Sequence, residues 1–217
     1  MTREEVRARI TETGLIPAIR AHKTDDAIFA ANACFNGGIL IAEIPMTVPD
    51  AARVISELMR VNPDVAVGAG TVLDVETAQR CVDVGASFLT STGLDLDMVE
   101  FADKNNVAVI PGALTPTEIM KAIKAGVDFI KVFPCAQVGG PAYIKAMKAP
   151  FRNAPLIASG GVNQQNAGDY IQAGAVALGI GEHLVPREAM ESHDLDWIRE
   201  LSRRFQSIVK RTREARS

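Results

Sequence analysis

Apolar residues return along this chain in short blocks, and four blocks share one layout: an amphipathic run, a glycine, then a brief apolar strand. They are NGGILIAEI (36–44), VGASFLTS (84–91), AGVDFIKV (125–132) and AGAVALGI (173–180). Glycine readily ends a helix in the left-handed conformation, so each block reads as a helix stop followed by a strand start. From Gly37 to Gly85, Gly126 and Gly174 the steps are 48, 41 and 48 residues. A strand–helix unit needs roughly two dozen residues, so each step should hold a second strand. LIPAIR (15–20), VAVGAG (65–70), VAVIPG (107–112) and LIAS (156–159) supply the missing strands.

Eight β-rich runs, each followed by helical patterning, predict parallel βαβ units. Thr115-Pro116-Thr117-Glu118 carries a capping threonine, proline at the first helical position and glutamate at the third, a full helix-start signature. Thr24-Asp25-Asp26, Pro49-Asp50 and Asn163 are expected to open other helices. An open doubly wound sheet would use the same units, but even spacing of eight strands favours closure into a (β/α)8 TIM barrel. The 217 residues lie near the lower size limit of that fold, which predicts one α/β domain over residues 1–217 with short loops. Residues 2–13 should add an N-terminal helix across the barrel bottom.

Composition narrows the function classes. A net charge of −3 gives no overall pull toward nucleic acid or an anionic membrane surface. No apolar run approaches the length of a spanning helix, and the N-terminus lacks the apolar core of a secretion signal. Cys34, Cys81 and Cys135 form an odd, scattered set, which argues for a reducing compartment, by default the cytoplasm. His22, His183 and His193 have no metal-ligand spacing with each other or with the cysteines, so neither a metal nor another cofactor is expected. The basic run at 199–216 has apolar residues at helical spacing and reads as a solvated outer helix.

Chemistry in such barrels sits at the C-terminal strand ends, where the βα loops converge. The polar residues there are Arg20, Glu43, Thr71, Ser91, Lys131 and Ser159-Gly160-Gly161. In DFIKVFP, strand alternation puts Phe129, Lys131 and Phe133 on the inward face, with Ile130 and Val132 against the outer helices. Burial disfavours an ammonium group and favours the amine that attacks a carbonyl. Glu43 interrupts the buried run ILIAEIP and should meet Lys131 across the barrel mouth, either as an ion-pair partner or as a general acid/base. Arg20 has a fork suited to a carboxylate. Ser159-Gly160-Gly161 and Gly179-Ile180-Gly181 offer backbone N–H groups where these barrels commonly bind phosphate.

With these residues in place, the chain resembles the 2-keto-3-deoxy-6-phosphogluconate (KDPG) and 4-hydroxy-2-oxoglutarate (KHG) aldolases from about residue 10 to residue 186. The likeness rests on AEIPMTVP (42–49), VGAGTVL (67–73), IPGALTPTE (110–118), FIKVFP (129–134), GGPAYIKAMKAPF (139–151), SGGVN (159–163) and GIGEHLVP (179–186), in the family's order. It implies a trimeric class I aldolase without a metal. Lys131 matches the family's Schiff-base lysine and Glu43 its proton-transferring glutamate. Thr71 matches the threonine near the pyruvate carboxylate, and Gly160, Gly161 and Gly181 match the phosphate-loop glycines.

Three positions depart from the pattern. Thr47 stands where many members have an arginine, and Arg20 is expected to take over carboxylate binding. Ser91-Thr92-Gly93 stands where many read Ser-Pro-Gly. Glu182 replaces the phosphate-binding serine, so either it turns away or the preferred substrate lacks a phosphate. The expected reaction is reversible cleavage of a 2-keto-4-hydroxy acid to pyruvate and an aldehyde, with only these small molecules as partners apart from copies of the chain. A sugar-phosphate epimerase or isomerase and a non-catalytic keto-acid binder are the alternatives left open.

Overall fold

The computed structural model describes residues 1–216. Its eight strands are β1 (Leu15–Pro17), β2 (Ile41–Pro45), β3 (Ala66–Gly70), β4 (Phe88–Thr90), β5 (Ala108–Ile110), β6 (Ile130–Val132), β7 (Leu156–Ser159) and β8 (Ala177–Ile180). All pairings are parallel, in two runs ordered β2-β3-β4-β5 and β6-β7-β8-β1. Two isolated bridges join the runs, Ala18 with Glu43 and Gly112 with Lys131. Ile19 N–H donates to the Glu43 carbonyl at 2.9 Å, and Ala113 N–H to the Lys131 carbonyl at 2.9 Å. The sheet thereby closes into the expected (β/α)8 barrel, and both seams run through a residue singled out for its chemistry.

Helices α1 (Arg3–Thr13), α2 (Thr24–Asn36), α3 (Ala51–Val61), α4 (Val75–Asp83), α5 (Leu96–Lys104), α6 (Pro116–Lys124), α7 (Pro141–Lys148), α8 (Ala167–Gln172), α9 (Arg187–Glu191) and α10 (Leu195–Glu214) surround the strands. The strands are buried almost throughout, as expected when helices cover the outside and side chains fill the inside. None of the helices is long and apolar enough to cross a membrane among the described residues.

The predicted helix stops hold with one shift. Gly85, Gly126 and Gly174 have φ of +96°, +71° and +108°. In the first copy Gly37 stays right-handed and Gly38, at +94°, makes the turn. Gly37 continues the helical hydrogen bonding to Ala33, and a β-carbon there would crowd Ser202 of α10. Its glycine therefore serves helix packing, while Gly38 supplies the reversal.

The helix starts differ more. The Thr115 capping box forms as read, and N–H groups of Leu114 and Thr115 hold the Glu118 carboxyl below the usual carboxylate range. Thr24 is instead the first helical residue, after Lys23, and its hydroxyl donates to the Pro49 carbonyl at 3.0 Å. Asp50 does precede α3, at φ +51° and without a side-chain cap. Asn163 does not open α8: its carboxamide oxygen accepts from Gln165 and Asn166 N–H groups, and the helix begins only at Ala167. The local turn captures the side chain that the helix start would have used.

At the barrel's other end, α1 buries Val6 and Ile10. Arg3 and Arg7 reach the Asp128 carboxylate at 2.9 and 3.3 Å, and Val109 N–H donates to the same carboxylate at 2.9 Å. Asp128 precedes β6 and Val109 belongs to β5, so α1 is tied to the strands it covers. The C-terminal helix α10 packs Ile198, Leu201, Phe205 and Val209 inward beside α2 and α8, with its charged face outside.

Candidate active site

Lys131 sits at the middle of β6, and its inward direction follows from the strand's period of two. It is 7% exposed, with Nζ 5.9 Å from the Phe133 ring centroid. Glu43, at the middle of β2 rather than near its end, is 6% exposed. Lys131 Nζ lies 3.2 Å from Glu43 Oε2 and 3.4 Å from Oε1. Removing either partner would strand a charge in a nearly dry site, so burial makes the pair mutually dependent. It also fixes an amine beside a carboxylate that can exchange protons with it.

Two glycines of β3 create the room for this arrangement. Gly68 pairs with Glu43 and Gly70 with Pro45 in the β2–β3 register. A β-carbon at Gly68 would overlap the Phe88 ring, and one at Gly70 would overlap the Glu43 carboxylate. With Gly68 and Gly70 leaving this part of the inward face of β3 without side chains, Glu43 reaches across that strand to β4. There the Thr90 hydroxyl, itself 1% exposed, donates to Glu43 Oε2 at 2.9 Å. Sequence reading passed over Thr90 in favour of Ser91. The signal was its position two residues after Phe88, which places it on the inward face. Ser91 instead donates to the Gly93 carbonyl of its own loop.

Lys131 opens onto a cavity of about 470 Å³ at the C-terminal mouth of the barrel. Arg20, Ser159, Gly160, Gly161 and Gly181 all line it, as expected from strand ends that converge. Gly179 keeps clear the space beside Ser159 Oγ, where a β-carbon would stand 2.8 Å away. Glu182 lines the same cavity and is exposed, together with His22, His183 and Arg187. These last three were not among the expected site residues, since spacing in sequence carries no trace of their convergence. Arg187 pairs with Glu191 at 2.6 Å.

Thr47 and Thr71 are placed differently. They follow β2 and β3 and line an adjacent depression with Asp74 and Arg80, outside the cavity onto which Lys131 opens. Thr47 is exposed, and Thr71 adopts φ +56°.

A closed parallel barrel with a buried lysine–carboxylate pair at its C-terminal mouth has the make-up of a Schiff-base aldolase. The chain belongs to the KDPG and KHG aldolase family, whose model matches residues 6–201, and it is an aldehyde-lyase. It is 31% identical to 2-dehydro-3-deoxy-phosphogluconate aldolase of Treponema pallidum (strain Nichols) over 90% of this chain and 93% of that one. It is 30% identical to the KHG/KDPG aldolase of Escherichia coli (strain K12), covering 89% and 91% of the two chains. Among solved structures, the KDPG aldolase from Legionella pneumophila, with pyruvate captured as a covalent carbinolamine, superposes with a TM-score of 0.85. That match has 30% identity and covers 91% of this chain and 96% of that one.

Proposed function

We propose that this aldolase cleaves a 2-keto-4-hydroxy acid to pyruvate and an aldehyde, with Lys131 as the Schiff-base residue and Glu43 as the proton carrier. The observation that carries this reading is the buried Lys131–Glu43 pair, 3.2 Å apart, whose lysine opens onto a cavity of substrate size. The covalent carbinolamine of pyruvate captured in the Legionella pneumophila relative supports covalent amine chemistry in this chain.

Lys131 Nζ attacks the C2 ketone as Glu43 takes a proton from it, and Glu43 then hands that proton to the carbinolamine hydroxyl, which leaves as water to give a protonated imine. The imine draws in the electrons of the C3–C4 bond. That bond breaks as the C4 hydroxyl surrenders its proton to the Glu43 carboxylate and becomes the aldehyde carbonyl, leaving an enamine. Glu43 returns a proton to C3, and water hydrolyses the imine to pyruvate and free lysine. Arg20 holds the keto-acid carboxylate from within the cavity, whereas Thr47 and Thr71, expected at the same end, line the neighbouring depression. Ser159, Gly160, Gly161 and Gly181 receive the far end of the aldehyde half.

Candidate aldehydes are glyceraldehyde 3-phosphate, glyceraldehyde and glyoxylate. Glu182 lines the cavity beside Gly181. A carboxylate near a phosphate at about 4 Å costs on the order of 1–4 kcal/mol per charge pair. That cost weighs against a phosphate beside Gly181, while the Arg187 guanidinium in the same cavity weighs in favour of one. The assembly is a homotrimer on the family resemblance, and three buried free cysteines support a reducing, cytoplasmic setting.

Incubation with pyruvate and sodium borohydride, followed by peptide mass analysis, tests the reading. A reduced pyruvyl adduct on Lys131, absent from Lys131→Ala, is the expected result. A folded protein that forms no adduct would remove Lys131 from the role of Schiff-base residue.

A further inference from the structure

The Glu43 carboxylate is gripped at one oxygen more than at the other. Oε2 accepts from Thr90 Oγ1 at 2.9 Å and from Lys131 Nζ at 3.2 Å, whereas Oε1 has only Nζ, at 3.4 Å. Among the described residues these are the only donors to the carboxylate. We propose that Thr90 is the positioning residue of the proton carrier: its hydroxyl pins Oε2 so that Oε1 faces the reacting carbons. The inference rests on the assignment of Lys131 and Glu43 above and concerns a residue that assignment does not include.

The need for such a residue follows from the chemistry. Once Nζ is bonded to substrate carbon, it carries a single proton and is fixed by that new bond, so its hold on Glu43 weakens. Proton transfer between Glu43 and C3 takes place in that state: the C3–H bond breaks, its electron pair forms C2=C3, and the imine π pair returns to nitrogen. A carboxylate at the end of a side chain with three torsions would then rotate, unless another donor held it. Thr90 supplies that donor from a rigid strand, and its placement is built in by the backbone. The carboxylate reaches Thr90 across the space that Gly70 leaves empty, and Phe88, two residues earlier on the same face, packs over Gly68. Burial of both groups makes the hydrogen bond stronger than it would be in water and its loss correspondingly costly.

Two reactions separate positioning from general upkeep of the site. Borohydride trapping of pyruvate needs the imine on Lys131. Exchange of pyruvate methyl hydrogens with deuterated water, read by NMR, also needs the proton carrier. For Thr90→Val, which keeps the shape and removes the hydroxyl, we expect exchange and aldol cleavage to fall about tenfold or more. The pyruvate concentration for half-maximal trapping should stay within about twofold, and Thr90→Ser should recover most of the exchange rate. Thr90→Ala provides the same comparison where the valine variant fails to fold. Exchange at the wild-type rate in the folded hydroxyl-free variants, or trapping that falls in step with exchange, or no recovery with serine, would overturn the proposal. Absence of trapping in the wild-type protein would instead remove the Schiff-base reading itself.

Discussion

Gly70 leaves vacant the volume that the Glu43 carboxylate occupies, so the side chain of β2 can cross β3 and reach Thr90 on β4. A site that spans three strands therefore depends on a residue with no side chain. Gly70→Ala should displace the carboxylate from Lys131 and cost about 1–3 kcal/mol of stability through overpacking. Aldol turnover should fall by about two orders of magnitude, the usual scale for a lost acid/base group. Thermal unfolding and steady-state cleavage rates, measured on the same preparation, check both parts.

The Lys131–Glu43 pair should show strong coupling in stability. Glu43→Leu alone strands a buried amine and is expected to cost about 3–5 kcal/mol, while Glu43→Leu combined with Lys131→Met should recover most of that loss. Urea denaturation of the two singles and the double gives the coupling energy. Additive losses would mean that the pair is solvated enough for each charge to stand alone.

Glu182 should govern the choice between phosphorylated and neutral substrates. Glu182→Ser is expected to raise kcat/KM for a phosphorylated keto acid about tenfold or more relative to its unphosphorylated analogue. Competition between the two substrates, followed by pyruvate release, measures the ratio directly. An unchanged ratio would mean that the carboxylate points out of the cavity.

The buried thiols predict an alkaline limit to stability. Burial pushes the Cys34 thiol up to about 12, and Cys81 and Cys135 to about 11, from an ordinary value of 9.0. Below pH 9 both folded and unfolded chains keep these protons, and the thiols add no pH dependence. Between pH 9 and about 12 the unfolded chain ionises first, so stability declines as pH rises through this window. Urea midpoints at about pH 8 and about pH 10.5 should differ less for Cys34→Ala than for the wild-type chain.

The repeat of glycine-led blocks, with the four apolar runs between them, determined the parallel strand–helix units, while closure rests on the two seams at Glu43 and Lys131. Each block couples a helix end to a strand start, and both signals are local, carried by backbone freedom at glycine and by apolar runs. Lys131 and Glu43 were legible for a related reason: a charge inside an apolar strand is costly and has to be explained. The capping box at Thr115 was likewise readable, because all of its hydrogen bonds lie within four residues. Asn163 shows where local reading fails, since its oxygen accepts from Gln165 and Asn166 N–H groups while the Asn166 oxygen accepts from Asn163 N–H, a reciprocal turn that delays the helix to Ala167.

Only the tertiary structure decided which polar side chains share a cavity. Arg20 after β1, Lys131 on β6 and Gly181 after β8 line one cavity, whereas Thr47 and Thr71 end beside Arg80 in the neighbouring depression. Strand order is local information, but side-chain convergence depends on the barrel's register and on what each intervening strand leaves empty. Thr90 is the clearest case. Its sequence neighbours mark it as an inward hydroxyl, and it becomes a partner of Glu43 because Gly70 removes the side chain that would have stood between them.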